Sequence, residues 1–164
     1  MIRTVRALYF TALGLWVGGM ATLAFIVAPT TFRTAPSRGD AGVIFGAILR
    51  SFGTFQLVLG AIAIVAVVIL LKTGELRPRT ALIRLGVLLL MLALVCGSHF
   101  YLGPAIERER AAVPNFNAIP SGVPAKARFD SLHRWSVRLA GATLFLGAGL
   151  LALSAATSKS SDGA

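Results

Sequence analysis

Two histidines, His99 and His133, are the first candidates for chemistry in this chain. His99 stands about one helical turn before Pro104, and His133 about one turn into the last apolar segment. Helices joined by the loop between them would therefore hold both imidazoles at similar depth. There the two rings could share a copper ion or a haem iron. Each ring can equally be satisfied by a backbone carbonyl, a hydroxyl or water, and two isolated histidines make a thin metal signature. No cofactor is expected on this reading, with haem or copper as the alternative.

Other polar residues fall inside apolar sequence. Asp130, Arg134 and Arg138 follow one another at i, i+4 and i+8 with His133 adjoining, so they stack on one helix face. A guanidinium as deep as Arg138 costs about 2.5–3.5 kcal/mol on insertion scales, so it is expected to point into the bundle, as an anionic-ligand site or as a snorkelling arginine balanced by Asp130. Trp16 lies near mid-span rather than in an interfacial belt, so its indole N–H needs a partner, for which Gln56 and Thr54 are the candidates. Trp16, Gln56, His99, His133, Arg134 and Arg138 thus form a candidate ligand-binding patch, with His99 and His133 as its candidate metal ligands. The chain carries no serine–histidine–acid set, no paired carboxylates and no phosphate-cradling glycine loop, so an enzyme is not expected.

The elements that must position these residues are membrane-spanning helices. Of the 164 residues 56% are hydrophobic, and the mean hydropathy is +0.80. The apolar residues come in long blocks rather than amphipathic stripes, which requires lipid rather than water as the surrounding medium. Spans are expected at about 7–28, 52–71, 81–103 and 129–156, within one domain over 1–156 and ahead of a disordered polar tail at 157–164. Pro29 and the polar residues after it are expected to end span one. Asp40 can cap a helix whose first part, 41–51, lies at the interface as an amphipathic segment before running on into span two. Arg84 stands one turn inside span three, where it can snorkel, and 113–124 reads as a proline-rich loop. Two hairpins imply an all-α, antiparallel four-helix transmembrane bundle. No repeat of fixed period is evident, although two hairpins could hold a weak one.

Sixteen Lys and Arg against six Asp and Glu give a formal charge of +10. The basic residues sit in connections and at span ends, where anionic headgroups meet them, so nucleic acid is not an expected partner. The lone Cys96 can form no intramolecular disulfide. Arg3, Arg6, Lys72, Arg77, Arg79, Arg84 and Lys159 fall on the side of the termini, concentrated in short segments, and this favours a cell-membrane protein with both termini in the cytoplasm. The GxxxG spacing of Gly14 and Gly18 allows close helix approach, within the chain or to a second copy or membrane partner.

The stretch GLWVGGMATLAFIVAPTTF in span one, SHFYLGPAIERER after span three and RFDSLHRWSVRL opening span four, taken in order, resemble the transmembrane protein 205-like family, a bacterial domain of unknown function. The likeness covers about residues 7–156. It implies a four-span helical membrane protein with Trp16, Pro29, Phe32, Pro104, Arg108 and His133 at the family's marked positions, and it implies no settled activity. A more distant similarity, of the W-x-G-G type, leads to copper-resistance D-like and haem-biosynthesis membrane proteins. Their intramembrane histidines serve metal or haem and stand notably in the first span, where this chain has none.

Three functions follow as expectations. The first is binding or moving a small molecule through the intrabundle polar patch. The second is a haem- or copper-binding redox protein using His99 and His133, and the third a structural subunit of a membrane complex.

Overall fold

The computed structural model describes residues 1–111 and 124–158. Among these residues all but Met1, 35–37 and 73–77 are helical, and no strand occurs. The expected loop at 113–124 and most of the expected tail at 157–164 lie outside the described residues.

The chain runs through α1 (Ile2–Thr22), a π-helical turn at Leu23–Val27, α2 (Ala28–Thr34), α3 (Arg38–Lys72), α4 (Pro78–Cys96), a second π-helical turn at Gly97–Leu102, α5 (Gly103–Ala111) and α6 (Pro124–Ser158). Four continuous stretches of 32 to 35 residues are long and apolar enough to cross a membrane. At 1.5 Å per residue each measures about 50 Å, well beyond the roughly 30 Å hydrocarbon core, so their ends project past it. Large apolar side chains face outward, with Phe145 78%, Tyr101 75% and Leu82 73% exposed. In water that surface would be unstable; in lipid it meets its like.

Pro29 does not end span one. A proline inside a helix lacks an N–H and crowds the carbonyl four residues earlier. The turn before it is widened instead, so that Ala28 N–H bonds to Leu23 O and the helix continues to Thr34. Pro104 is accommodated in the same way, with Gly103 N–H bonded to Ser98 O. The helix breaks at Ala35, which is extended. It restarts at Ser37, whose Oγ accepts from Asp40 N–H at 3.1 Å and donates to Asp40 Oδ2 at 2.7 Å. Asp40 is therefore the third residue of a reciprocal cap and not the cap itself. As expected, the segment 41–51 runs on without a break into span two, forming the opening turns of α3. Its Phe45 meets Phe32 of α2 at 6.3 Å, Gly42 packs under Arg110, and Arg50 pairs with Glu107. At the other end, the turn between α3 and α4 depends on Gly74, whose φ of 77° is costly for a residue with a Cβ.

α1 packs on α3 and α6, and α4 packs on the same two helices, closing an antiparallel bundle with α1 and α4 on one diagonal. The two halves of the chain repeat each other. The spacing that separates Pro29 from Pro104 also separates Phe25 from Phe100 and Arg33 from Arg108. Both arginines bond back by Nε to their own proline carbonyl, at 3.2 and 3.3 Å. That spacing also relates Leu13 to Leu88 and Trp16 to Met91, all fully buried. α3 and α6 each hold 35 residues, and the spacing from Gly60 to Gly147 also relates the buried Gln56 to Thr143, Ala63 to Leu150 and Val67 to Ser154. The packing follows suit: Gly60 meets Trp16 and Leu92, while Gly147 meets their counterparts, Met91 and Val17. A pseudo-two-fold axis therefore runs down the bundle, relating hairpin α1–α3 to hairpin α4–α6.

Candidate functional site

Three of the predicted site residues gather along one face of α3. Gly53, Gln56 and Gly60 follow at helical spacing and are all buried. A Cβ on Gly53 would lie 2.6 Å from Nδ1 of His99, and one on Gly60 2.9 Å from Cζ3 of Trp16. The two glycines thus admit the imidazole and the indole on either side of Gln56. Trp16 is fully buried and Gln56 is 7% exposed. The expected pairing of Trp16 with Gln56 or Thr54 does not form: Trp16 Nε1 and Gln56 Nε2 are both enclosed and without a partner, while Thr54 is exposed and donates to its own helix at Arg50 O, 3.4 Å away. Both orphaned atoms are donors, so neither can satisfy the other, and each costs about 1–3 kcal/mol while unpaired. His99 sits in the second π-helical turn with Phe100 edge-on at 4.7 Å. A turn widened by Pro104 re-aims the side chains within it, which is how the imidazole reaches α3.

His133, Arg134 and Arg138 lie elsewhere, on exposed positions of α6. The His133 ring stacks parallel to Phe129 at 6.1 Å. Arg138 does not point into the bundle as expected; its guanidinium covers the Trp135 ring at 5.2 Å on the outer surface. The stem of an outward arginine can run along apolar surface with its head on an aromatic face, which lowers the cost of its depth. The predicted patch therefore divides into an inner part of Trp16, Gln56 and His99 and an outer part of His133, Arg134 and Arg138.

A second polar cluster, at the end of the bundle that holds the start of α1 and the end of α6, was not legible in the sequence. Arg84 does not snorkel: it is 4% exposed. Its Nη2 donates to Thr157 Oγ1 at 2.8 Å, and its guanidinium carbon stands 5.3 Å from the centroid of the Tyr9 ring. Tyr9 and Ser154 share a buried hydroxyl–hydroxyl bond of 2.9 Å. One turn nearer the end, Arg6 pairs with Glu75 at 3.0 Å.

As a place for haem or copper, the surroundings of the histidines fit poorly. His99 is hemmed in by α3 and Phe100, His133 lies on the outer face, and among the described residues no group of three or more His, Cys, Asp or Glu could hold a metal ion. Gly14 and Gly18 open on the outside of α1, where an added Cβ would meet nothing within 4 Å. The close approaches inside the bundle use Gly19, Gly53, Gly60 and Gly147 instead.

Residues 11–113 match a family described as a domain of unknown function, DUF4149. That stretch runs from within α1 past the end of α5, and takes in Trp16, Gln56, Arg84 and His99. No curated protein and no solved structure matches the chain significantly.

Proposed function

This chain belongs to the DUF4149 family, and from that premise we propose that it is a multi-pass membrane protein that binds, inside its helical bundle, a small molecule carrying a hydrogen-bond-accepting oxygen. The observation that carries the reading is the pair of enclosed donors, Trp16 Nε1 and Gln56 Nε2, left without an acceptor. A carbonyl, ether or hydroxyl oxygen is the kind of acceptor that such donors lack, and a lipophilic body bearing one would reach the site from the bilayer. Repeat-built membrane proteins commonly hold their ligands near mid-bilayer between the repeats, and Trp16 with Gln56 occupies the corresponding position here. The reading assigns no cofactor and no covalent chemistry. It keeps both termini in the cytoplasm, which impermeant thiol labelling of cysteines introduced at Pro36 and Lys72 would decide.

The test is mass spectrometry of small molecules released from the detergent-purified protein, wild type beside the double variant Trp16→Phe/Gln56→Leu. A lipophilic oxygen-bearing compound held by the wild type and lost from the double variant is the expected result. Equal recovery from both, or recovery from neither, leaves the donors to a buried water and sinks the reading.

A further inference from the structure

We propose a second binding site, independent of Trp16 and Gln56, in which Arg84 holds an oxyanion, a phosphate or carboxylate group, at the end of the bundle that carries the start of α1 and the end of α6. Arg84 is 4% exposed, and a buried cation is tolerated only when something opposite in charge or strongly accepting meets it. What meets it among the described residues is one neutral hydroxyl, Thr157 Oγ1, and the Tyr9 ring face. Its Nε is enclosed and has no partner at all. Among the described residues no carboxylate takes up the charge: Asp40, Glu107, Glu109 and Asp130 belong to the opposite end, and Glu75 is engaged by Arg6 at 3.0 Å.

The internal symmetry explains why the guanidinium lies inside. The spacing that relates Trp16 to Met91 relates Tyr9 to Arg84, so the two residues occupy equivalent positions on opposite sides of the axis and meet across it. One repeat contributes a phenol, held by Ser154, and the other a cation. A guanidinium offers a planar fork of donors suited to two oxygens of one anion, and here Nε is the edge still free. The depth, a turn or two below the helix ends, suits either a lipid phosphate drawn in from the leaflet or a small anion entering from water.

The experiment measures thermal unfolding of the purified full chain in neutral detergent, titrated with inorganic phosphate in one arm and with phosphatidylglycerol against phosphatidylcholine in the other. We expect a saturable rise in Tm with at least one phosphate-bearing probe, abolished in Arg84→Gln and weakened about tenfold in Arg84→Lys, which keeps the charge and loses the fork. Arg84→Lys guards against a folding failure of Arg84→Gln. A response to inorganic phosphate identifies a free anion as the ligand, and one confined to phosphatidylglycerol identifies a headgroup; either supports the site. No response to any probe, or an equal response in wild type and Arg84→Lys, overturns it. So does an Asp162→Asn variant that binds phosphate about tenfold more tightly than wild type, because the chain's own carboxylate would then be the counter-ion.

Discussion

The Trp16 indole packs directly on Gly60, where an added Cβ would come within 2.9 Å of its Cζ3. The same Cβ would come within 2.5 Å of Leu92 Cδ2, so the contact is closed on both sides. Gly60→Ala should therefore destabilise the bundle by about 1–3 kcal/mol, the usual cost of forcing a methyl group into a packed interior. Gly14→Ala and Gly18→Ala meet open space and should leave stability within about 0.5 kcal/mol of wild type. Unfolding in a mixed-detergent titration checks all three, and equal losses at Gly14 and Gly60 would contradict the packing.

Gln56 Nε2 is enclosed without an acceptor. Gln56→Leu replaces it with an apolar group of similar bulk and removes an unmet donor. In protein stripped of small molecules, this variant should be more stable than wild type by about 1–2 kcal/mol. The measurement is chemical unfolding after delipidation; a less stable variant would mean that the amide is already satisfied in the native protein.

Tyr9 holds two interactions that can be separated. Tyr9→Phe deletes the bond to Ser154 and keeps the ring under Arg84, while Tyr9→Leu deletes both. The first should cost about 0.6–1.5 kcal/mol, the range for a hydrogen bond inside a membrane protein. The second should cost more by about 1–2 kcal/mol for the lost cation–π contact. A double-mutant cycle with Ser154→Ala isolates the hydroxyl pair, and a coupling energy of zero would show that the bond contributes nothing.

For the histidines, absorption spectra and metal analysis of wild type, His99→Ala and His133→Ala should agree, with no haem band and no stoichiometric metal. His99 and His133 each have an aromatic neighbour, and neither gains a set of further ligands among the described residues. A band or a metal present in wild type and lost in either variant would make the imidazoles ligands after all.

Much of the architecture was readable because lipid imposes it. Long uncharged runs can cross a bilayer only as helices, so the four spans and their antiparallel order follow from length and hydropathy. The buried positions of Trp16 and Gln56 were legible for the same reason: a polar group in mid-span must face protein. Lateral direction was not legible. A helix face is chosen by neighbours, and nothing in the order of residues says that Arg84 turns inward to Tyr9 while Arg138 turns outward to Trp135. Nor does the order of residues show whether a proline ends a helix. At Pro29 and Pro104 widened turns carry the chain through, and the widening re-aims His99 toward Gly53.

The repeat was hidden because its halves agree in packing more than in residue type. Trp16 answers to Met91, Gln56 to Thr143 and Tyr9 to Arg84, pairs that share a position and little chemistry. The amino-acid order alone determined a four-span, basic, all-helical membrane protein with a polar residue or two in its interior, because the cost of exposing backbone and charge to hydrocarbon leaves no other arrangement. Only the tertiary structure decided which polar atoms are left unpaired, since pairing depends on which faces of separate helices meet, and that is set by glycine-sized gaps on one helix matching bulky side chains on another.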